Sequence, residues 1–242
     1  MVLCTLLPGL AFAQGGPPLI TDDPGTPGDG QWEINTSMTL ERTRSGRTFE
    51  APLLDLNYGI GERLQLKYEV PLLVVDEEGQ PRRSALGNSA VGVKWRFLDD
   101  AEHGLSLSIY PQLETNTPGR RAVERGLVDE GLQFLAPLEV AWQLGALELG
   151  AEVGYQLIED ADDEWKYGFA AGYAATPRLE LLSEIAGFTD EDFSGGSPVF
   201  NVGLRYAGSE LVTLLFSAGR ALDVASEEDP ELTLFAGVQW IL

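Results

Sequence analysis

Residues 63–74 read Arg63-Leu64-Gln65-Leu66-Lys67-Tyr68-Glu69-Val70-Pro71-Leu72-Leu73-Val74. Leu64, Leu66, Tyr68, Val70, Leu72 and Val74 share one parity, and Arg63, Gln65, Lys67 and Glu69 share the other. Successive side chains of a strand point to opposite faces, so this is a β-strand with one apolar face and one charged face. A helix would need apolar residues at i, i+3, i+4 and i+7, and the stretch does not offer them.

The same alternation continues on both sides. In 32–42, Trp32, Ile34, Met38 and Leu40 oppose Glu33, Asn35, Ser37 and Glu41. In 85–97, Val91, Val93, Trp95 and Phe97 oppose Asn88, Lys94 and Arg96. In 165–175, Trp165, Tyr167, Phe169 and Tyr173 oppose the small residues Gly168, Ala170, Gly172 and Ala174. Segments 49–58, 105–115, 132–144, 146–158, 179–188, 199–207, 211–220 and 231–242 complete a set of twelve with 64–74. A tilted strand needs about 9–11 residues to cross a bilayer, whereas strands of soluble sheets usually have about 5–6. The expected fold is therefore all-β: a closed antiparallel transmembrane barrel of twelve strands.

The connections alternate in length. Those at 43–48, 76–84, 116–131, 159–164, 189–198 and 222–230 are long; those at 59–62, 98–104, 145, 176–178 and 208–210 are short. Outer-membrane barrels have short periplasmic turns and longer external loops, and an even strand count puts both barrel ends on the periplasmic side. Trp32, Tyr58, Trp95, Trp142, Tyr173, Tyr206 and Trp240 lie on the apolar face near the short-turn ends, as an aromatic belt at headgroup depth would. Phe49, Tyr155, Trp165 and Phe200 form a looser belt at the other end. Leu232, Leu234, Val238, Trp240 and Leu242 alternate through the last segment. This pattern resembles the C-terminal signal read by the barrel-assembly machinery, with Leu in place of the usual Phe or Trp.

The 242 residues are 44 % hydrophobic, yet no run approaches the about 18 apolar residues of a membrane helix. A net charge of −22 repels nucleic acid and favours cations, or lipopolysaccharide bridged by divalent ions; ordinary solubility is the alternative reading. Cys4 is the one cysteine and His103 the one histidine, which excludes disulfides and multi-histidine metal sites. Residues 2–13 are apolar and end in Ala11-Phe12-Ala13, a signal-peptide cleavage pattern without its basic n-region. Residues 14–30, broken by Pro17, Pro18, Pro24, Pro27, Gly25, Gly28 and Gly30, form an extended leader. It lies in the periplasm or folds into the lumen; the pattern leaves both open. The organisation is thus signal peptide 1–13, leader 14–30 and barrel 31–242.

Several stretches resemble a known family: residues 17–23, Gly30-Gln31-Trp32-Glu33-Ile34-Asn35, 50–59, Leu66-Lys67-Tyr68-Glu69-Val70-Pro71, Gly92-Val93-Lys94-Trp95-Arg96-Phe97 and Phe216-Ser217-Ala218-Gly219-Arg220. The chain is similar to the outer-membrane barrels of the phenol meta-pathway family, often labelled transporters. The resemblance covers nearly the whole mature chain. It implies a barrel in the bacterial outer membrane and transfers no catalytic motif; a hydrophobic or aromatic solute is suggested only by the family name.

The polar face of each strand lines the lumen. Arg63, Lys67, Glu69, Lys94 and Arg96 fall on the third and fourth segments, and Glu139, Glu148, Glu152, Glu180 and Glu184 on the sixth, seventh and ninth. These are the expected lumen-lining residues. Facing one another they either set a transverse field across a watery pore or pair and fill the barrel. Acidic runs such as 76–78, 159–164, 190–192 and 227–229 read as solvated loops, with divalent-cation binding as the alternative. Gly150, Gly154, Gly168 and Gly172 read as room for close packing. His103, in a short turn beside Asp99, Asp100 and Glu102, reads as a solvated residue rather than a catalytic one. No cofactor, metal or catalytic site is expected. The leading function is a passive channel for small solutes. A closed structural or adhesive barrel acting through acidic loops comes second, and an outer-membrane hydrolase third. The expected partners are outer-membrane lipid and lipopolysaccharide, the barrel-assembly machinery through the last strand, and a small solute.

Overall fold

Alternation of this kind produces strands whose ladders run on from neighbour to neighbour until the first meets the last. The computed structural model describes residues 16–193, 195–224, 226–227 and 229–242; the apolar segment 2–13 and its cleavage pattern lie outside them. The strands are β1 Trp32–Arg42, β2 Gly46–Ile60, β3 Leu64–Glu77, β4 Arg83–Leu86, β5 Ser89–Asp100, β6 Leu105–Ile109, β7 Gln112–Thr115, β8 Gln133–Leu144, β9 Leu147–Ile158, β10 Glu164–Thr176, β11 Leu179–Asp190, β12 Val199–Ala207, β13 Val212–Ala221 and β14 Leu232–Ile241. β4 and β5 are one stave interrupted at Gly87 and Asn88. β6 and β7 are another, interrupted at Tyr110 and Pro111, where proline has no N–H for the ladder. The result is a twelve-stave antiparallel barrel. β1 closes it against β14, from Glu33 opposite Ile241 to Arg42 opposite Leu232. Trp32 and Leu242 exchange two backbone hydrogen bonds of 2.9 Å at the end of that seam. No edge is left unpaired, the condition for backbone to lie in hydrocarbon.

The burial pattern is inverted relative to a soluble domain. Met38, Val153, Phe169, Val202 and Phe216 are 44–66 % exposed on the outside. Asn35, Asp55, Asn57, Lys94, Ser108, Glu139, Glu152, Glu184 and Arg205 are buried inside. An apolar surface of this extent is stable only against lipid. Among the described residues no helix is long and apolar enough to cross a membrane. It is the closed, outwardly apolar barrel that places the chain in the bacterial outer membrane.

Register sets the aromatic belt on one rim. Trp32 stands opposite Tyr58, with ring centroids 4.8 Å apart. Trp95 pairs with Leu64, Trp142 with Leu105, Tyr173 with Leu147, Tyr206 with Leu179, and Trp240 with Ile34. The Trp142 indole donates to the His103 carbonyl at 3.1 Å. The short turn between β8 and β9 is made possible by Gly145, at φ 68°.

Several connections are shorter than expected, as at 76–84, which shrinks to 78–82. The loop expected at 43–48 shrinks to 43–45, because β2 begins at Gly46 and Arg47 pairs with Arg42. Thr43 closes that turn: its N–H donates to the Gly46 carbonyl at 3.0 Å, and its Oγ1 accepts from the Gly46 N–H at 3.2 Å. The turn expected at 98–104 shortens because β5 continues to Asp100. The long connection before β8 contains a short helix, α1 Arg120–Glu124.

Candidate functional site: the lumen and its leader

The leader lies inside the barrel. It enters at the short-turn mouth, where the Gly30 N–H donates to the Gly59 carbonyl at 3.1 Å and Gly59 N–H to the Gln31 carbonyl at 2.9 Å. Thr26 Oγ1 donates to the Glu62 carbonyl at 3.0 Å. Deeper in, Leu19, Thr21 and Asp23 are buried, Thr21 to 1 % exposure. Of the two positions that the breaker-rich stretch left open, the structure has the lumenal one.

The wall reaches the leader through polar side chains. Glu184 accepts from Ile20 N–H and Thr21 N–H, both at 2.8 Å, from Thr21 Oγ1 at 2.7 Å and from Asn201 Nδ2 at 2.8 Å. Glu152 accepts from Asp22 N–H at 2.9 Å. Arg205 donates to the Gly16 carbonyl at 3.1 Å and to the Pro17 carbonyl at 3.1 and 3.2 Å. Ser217 Oγ donates to the Pro18 carbonyl at 2.7 Å. Lys94 Nζ donates to the Asp23 carbonyl and lies 2.8 Å from Asp22 Oδ1.

Small residues provide the space. A Cβ on Gly168 would stand 2.3 Å from Thr21 Oγ1, and one on Gly203 would stand 3.5 Å from Pro18 Cγ. Elsewhere Gly154 meets Pro137 and Gly172 meets Glu180 at similarly close range. What remains is a cavity of about 30 Å³ lined by residues including Asp22, Asp23, Asp55, Lys67 and Lys94, and one of about 220 Å³ at the short-turn mouth beside Arg96 and Gln239.

The lumen charges form a chain of pairs. Lys94 lies 3.4 Å from Glu139 as well as beside Asp22, and its ammonium sits 4.5 Å above the Tyr110 ring. Lys166 pairs with Glu152 at 2.8 Å and Arg205 with Glu180 at 3.3 Å. Lys67 pairs with Glu69 at 2.8 Å and with Asp55 at 3.7 Å. Glu139 and Glu152 are directly opposite across β8 and β9, an unfavourable placement for like charges that the two lysines offset. Burial would raise the Asp22 carboxyl, but Lys94, Lys67 and Lys166 outweigh it and hold it at about 2 against the usual 3.8.

Of the residues expected to line the lumen, Lys94, Glu139, Glu152, Glu180 and Glu184 are buried within it, and Lys67, Glu69 and Glu148 are half-buried. Arg96 stands at the mouth, bonded to the Glu62 carbonyl and 3.5 Å from Asp99. Arg63 is exposed in the turn before β3. The basic and acidic walls therefore do not face each other across open water; Asp22 of the leader stands between them. Lys166, Arg205, Asp55 and Asn201 were missed, although their parity on β10, β12 and β2 points them inward. His103 lies in the turn 101–104 with Nδ1 2.8 Å from Asp100 Oδ2. Among the described residues no three metal-ligating side chains converge.

The sequence matches the family described as "Putative MetA-pathway of phenol degradation" over residues 15–236. No curated protein matches it. An outer membrane channel from Pseudomonas putida F1 is similar in structure at 14 % identity, with a TM-score of 0.77 over 93 % of this chain and 100 % of that one. The KdgM porin has a TM-score of 0.62 at 10 % identity over 86 % and 98 % of the two chains. LpxR from Salmonella typhimurium has a TM-score of 0.53 at 9 % identity over 86 % and 99 %. At these identities the likeness is one of fold.

Proposed function

This chain belongs to the phenol MetA-pathway family, and from that premise and the build of its lumen we propose an outer-membrane channel for passive movement of small solutes, closed by its own leader. The observation that carries the reading is what fills the interior. A barrel with only a structural role can fill its lumen with side chains of its own wall. Here the wall contributes Gly168 and Gly203 where the leader passes, and the filling comes from residues 16–30, which lead into β1. That segment is held mainly by hydrogen bonds and by the Lys94–Asp22 ion pair, polar contacts whose wall partners water can hydrate once the segment leaves. Withdrawing it leaves a polar, hydrated path. The outer membrane channel and the porin of similar fold agree with this reading.

Single-channel recording in planar bilayers tests it. The intact chain gives rare or small current steps. Thr21→Pro with Asp22→Lys removes a leader N–H and sets a cation against Lys94, and the same barrel then gives frequent, larger steps. Silence from both proteins, with folding confirmed by heat-dependent gel mobility, overturns the channel reading in favour of a closed structural barrel. The family name makes phenolic compounds the first solutes to try in a liposome swelling assay.

A further inference from the structure

Wall side chains contact seven main-chain groups within residues 16–23: the carbonyls of Gly16, Pro17, Pro18 and Asp23 and the N–H groups of Ile20, Thr21 and Asp22. Five wall side chains make these contacts: Arg205, Ser217, Lys94, Glu184 and Glu152. Within residues 16–23 the described polar side-chain contacts to the wall are Thr21 Oγ1 on Glu184 and Asp22 Oδ1 on Lys94. From this we propose that the lumen is a binding site for polypeptide backbone turned as residues 16–21 are, that the leader occupies it as an internal pseudo-ligand, and that short Pro- and Gly-containing peptides able to make that turn are a ligand class of the released barrel. The inference rests on the leader being able to leave, as in the channel reading above.

The chemistry favours peptide over other polar solutes. Donors sit where the carbonyls of residues 16–18 and 23 fall and carboxylates where the N–H groups of residues 20–22 fall, matched to a leader turned on itself by the bonds from Leu19 N–H to the Gly16 carbonyl and from Gly16 N–H to the Thr21 carbonyl, both 3.1 Å. Every one of these wall groups is charged or hydroxylic, and charge-assisted hydrogen bonds are the stronger kind. Gly168 makes room for the Thr21 side chain, whose Oγ1 would stand 2.3 Å from a Cβ there. Because backbone is mainly what is contacted, other sequences that make the same turn fit the same slot. Burial of Leu19 makes an apolar residue at that position an advantage.

The test uses the full chain carrying Thr21→Pro and Asp22→Lys, refolded in detergent, and a fluorescent peptide with the sequence of residues 16–25. Fluorescence anisotropy is expected to show saturable binding to the variant and none to the intact chain. Methylating the peptide nitrogens that correspond to Ile20, Thr21 and Asp22 weakens binding at least tenfold. Replacing the exposed Ile20 side chain changes it only a few-fold. An oligosaccharide of equal mass does not compete. Absence of binding to the variant, or equal competition by the oligosaccharide, overturns the proposal. Current steps that ignore the peptide would leave the channel reading standing and remove the peptide one; a barrel that binds peptide and passes no current would do the reverse.

Discussion

Glu184 takes four hydrogen bonds, three of them from the leader. Glu184→Gln keeps one acceptor oxygen and turns the other arm into a donor facing donors. At least one buried N–H then loses its partner, a cost of about 1–3 kcal/mol. Hydrogen exchange at Ile20 and Thr21 is expected to quicken by about one to two orders of magnitude. Gly168→Val acts sterically, since any Cβ there meets Thr21 Oγ1 at 2.3 Å. The expected result is an expelled leader and raised conductance, with barrel gel mobility unchanged. Asp22 gives the pH dependence. Its carboxyl is held at about 2 in the docked state against 3.8 free, so its contribution to docking is complete above about 4 and is lost as pH falls towards 2. Open probability should be flat from pH 8 to 5 and rise below 4, and the Asp22→Asn variant should lose that acid step. Much of this residue-scale chemistry is hidden in the sequence. The inward parity of Lys94, Glu152 and Glu184 is legible, but their partners lie in a stretch with no period at all. Nothing in the run of prolines and glycines from Pro17 to Gly30 says which wall group meets which carbonyl.

At the scale of elements, alternation is a strong signal because a one-residue slip would turn every side chain of a strand to the wrong side. That is why β1 and β12 run where the parity places them, Trp32–Arg42 and Val199–Ala207. The interruptions at Gly87 and at Pro111 preserve parity on both sides, so they escape a reading based on period. The turn at 43–45 is hidden for a different reason: Thr43, Ser45 and Gly46 are typical loop residues that here complete a hairpin. Lys166 is hidden by its neighbours, since Gly168, Ala170, Gly172 and Ala174 give that face a small, neutral character. Parity also has a measurable consequence. Val202 is 50 % exposed on the lipid face of β12, and Val202→Arg should cost about 2–4 kcal/mol if it lies near the midplane. Urea titration of folding into lipid vesicles measures it. Leu204→Ala, on the same face, should cost much less because no charge enters the lipid.

For the whole molecule, the balance of the wall predicts the ion preference of an open barrel. Asp55, Glu139, Glu152, Glu180 and Glu184 are buried acids, and Lys94, Lys166 and Arg205 are the buried bases of the same wall. Removing the leader takes Asp22 and Asp23 away and leaves acids in excess. A released variant recorded under a tenfold potassium chloride gradient should reverse at a potential of cation-selective sign, more strongly at low salt where screening is weak. Anion selectivity would mean that the carboxylates are neutral or turned away once the leader has gone.

The leader also has a place in time. It is synthesised first, yet its contacts reach Glu184, Arg205 and Ser217, as much as 164, 189 and 199 residues further along the chain. Contacts of such long range form late in folding. The slot for residues 16–23 does not exist until β9 to β13 stand side by side, which is nearly the moment the seam between β1 and β14 can close. If the leader docks after that seam closes, a newly made barrel has for an interval a complete wall and a wet bore, and on the channel reading proposed above the length of that interval sets how long the new pore stands unguarded.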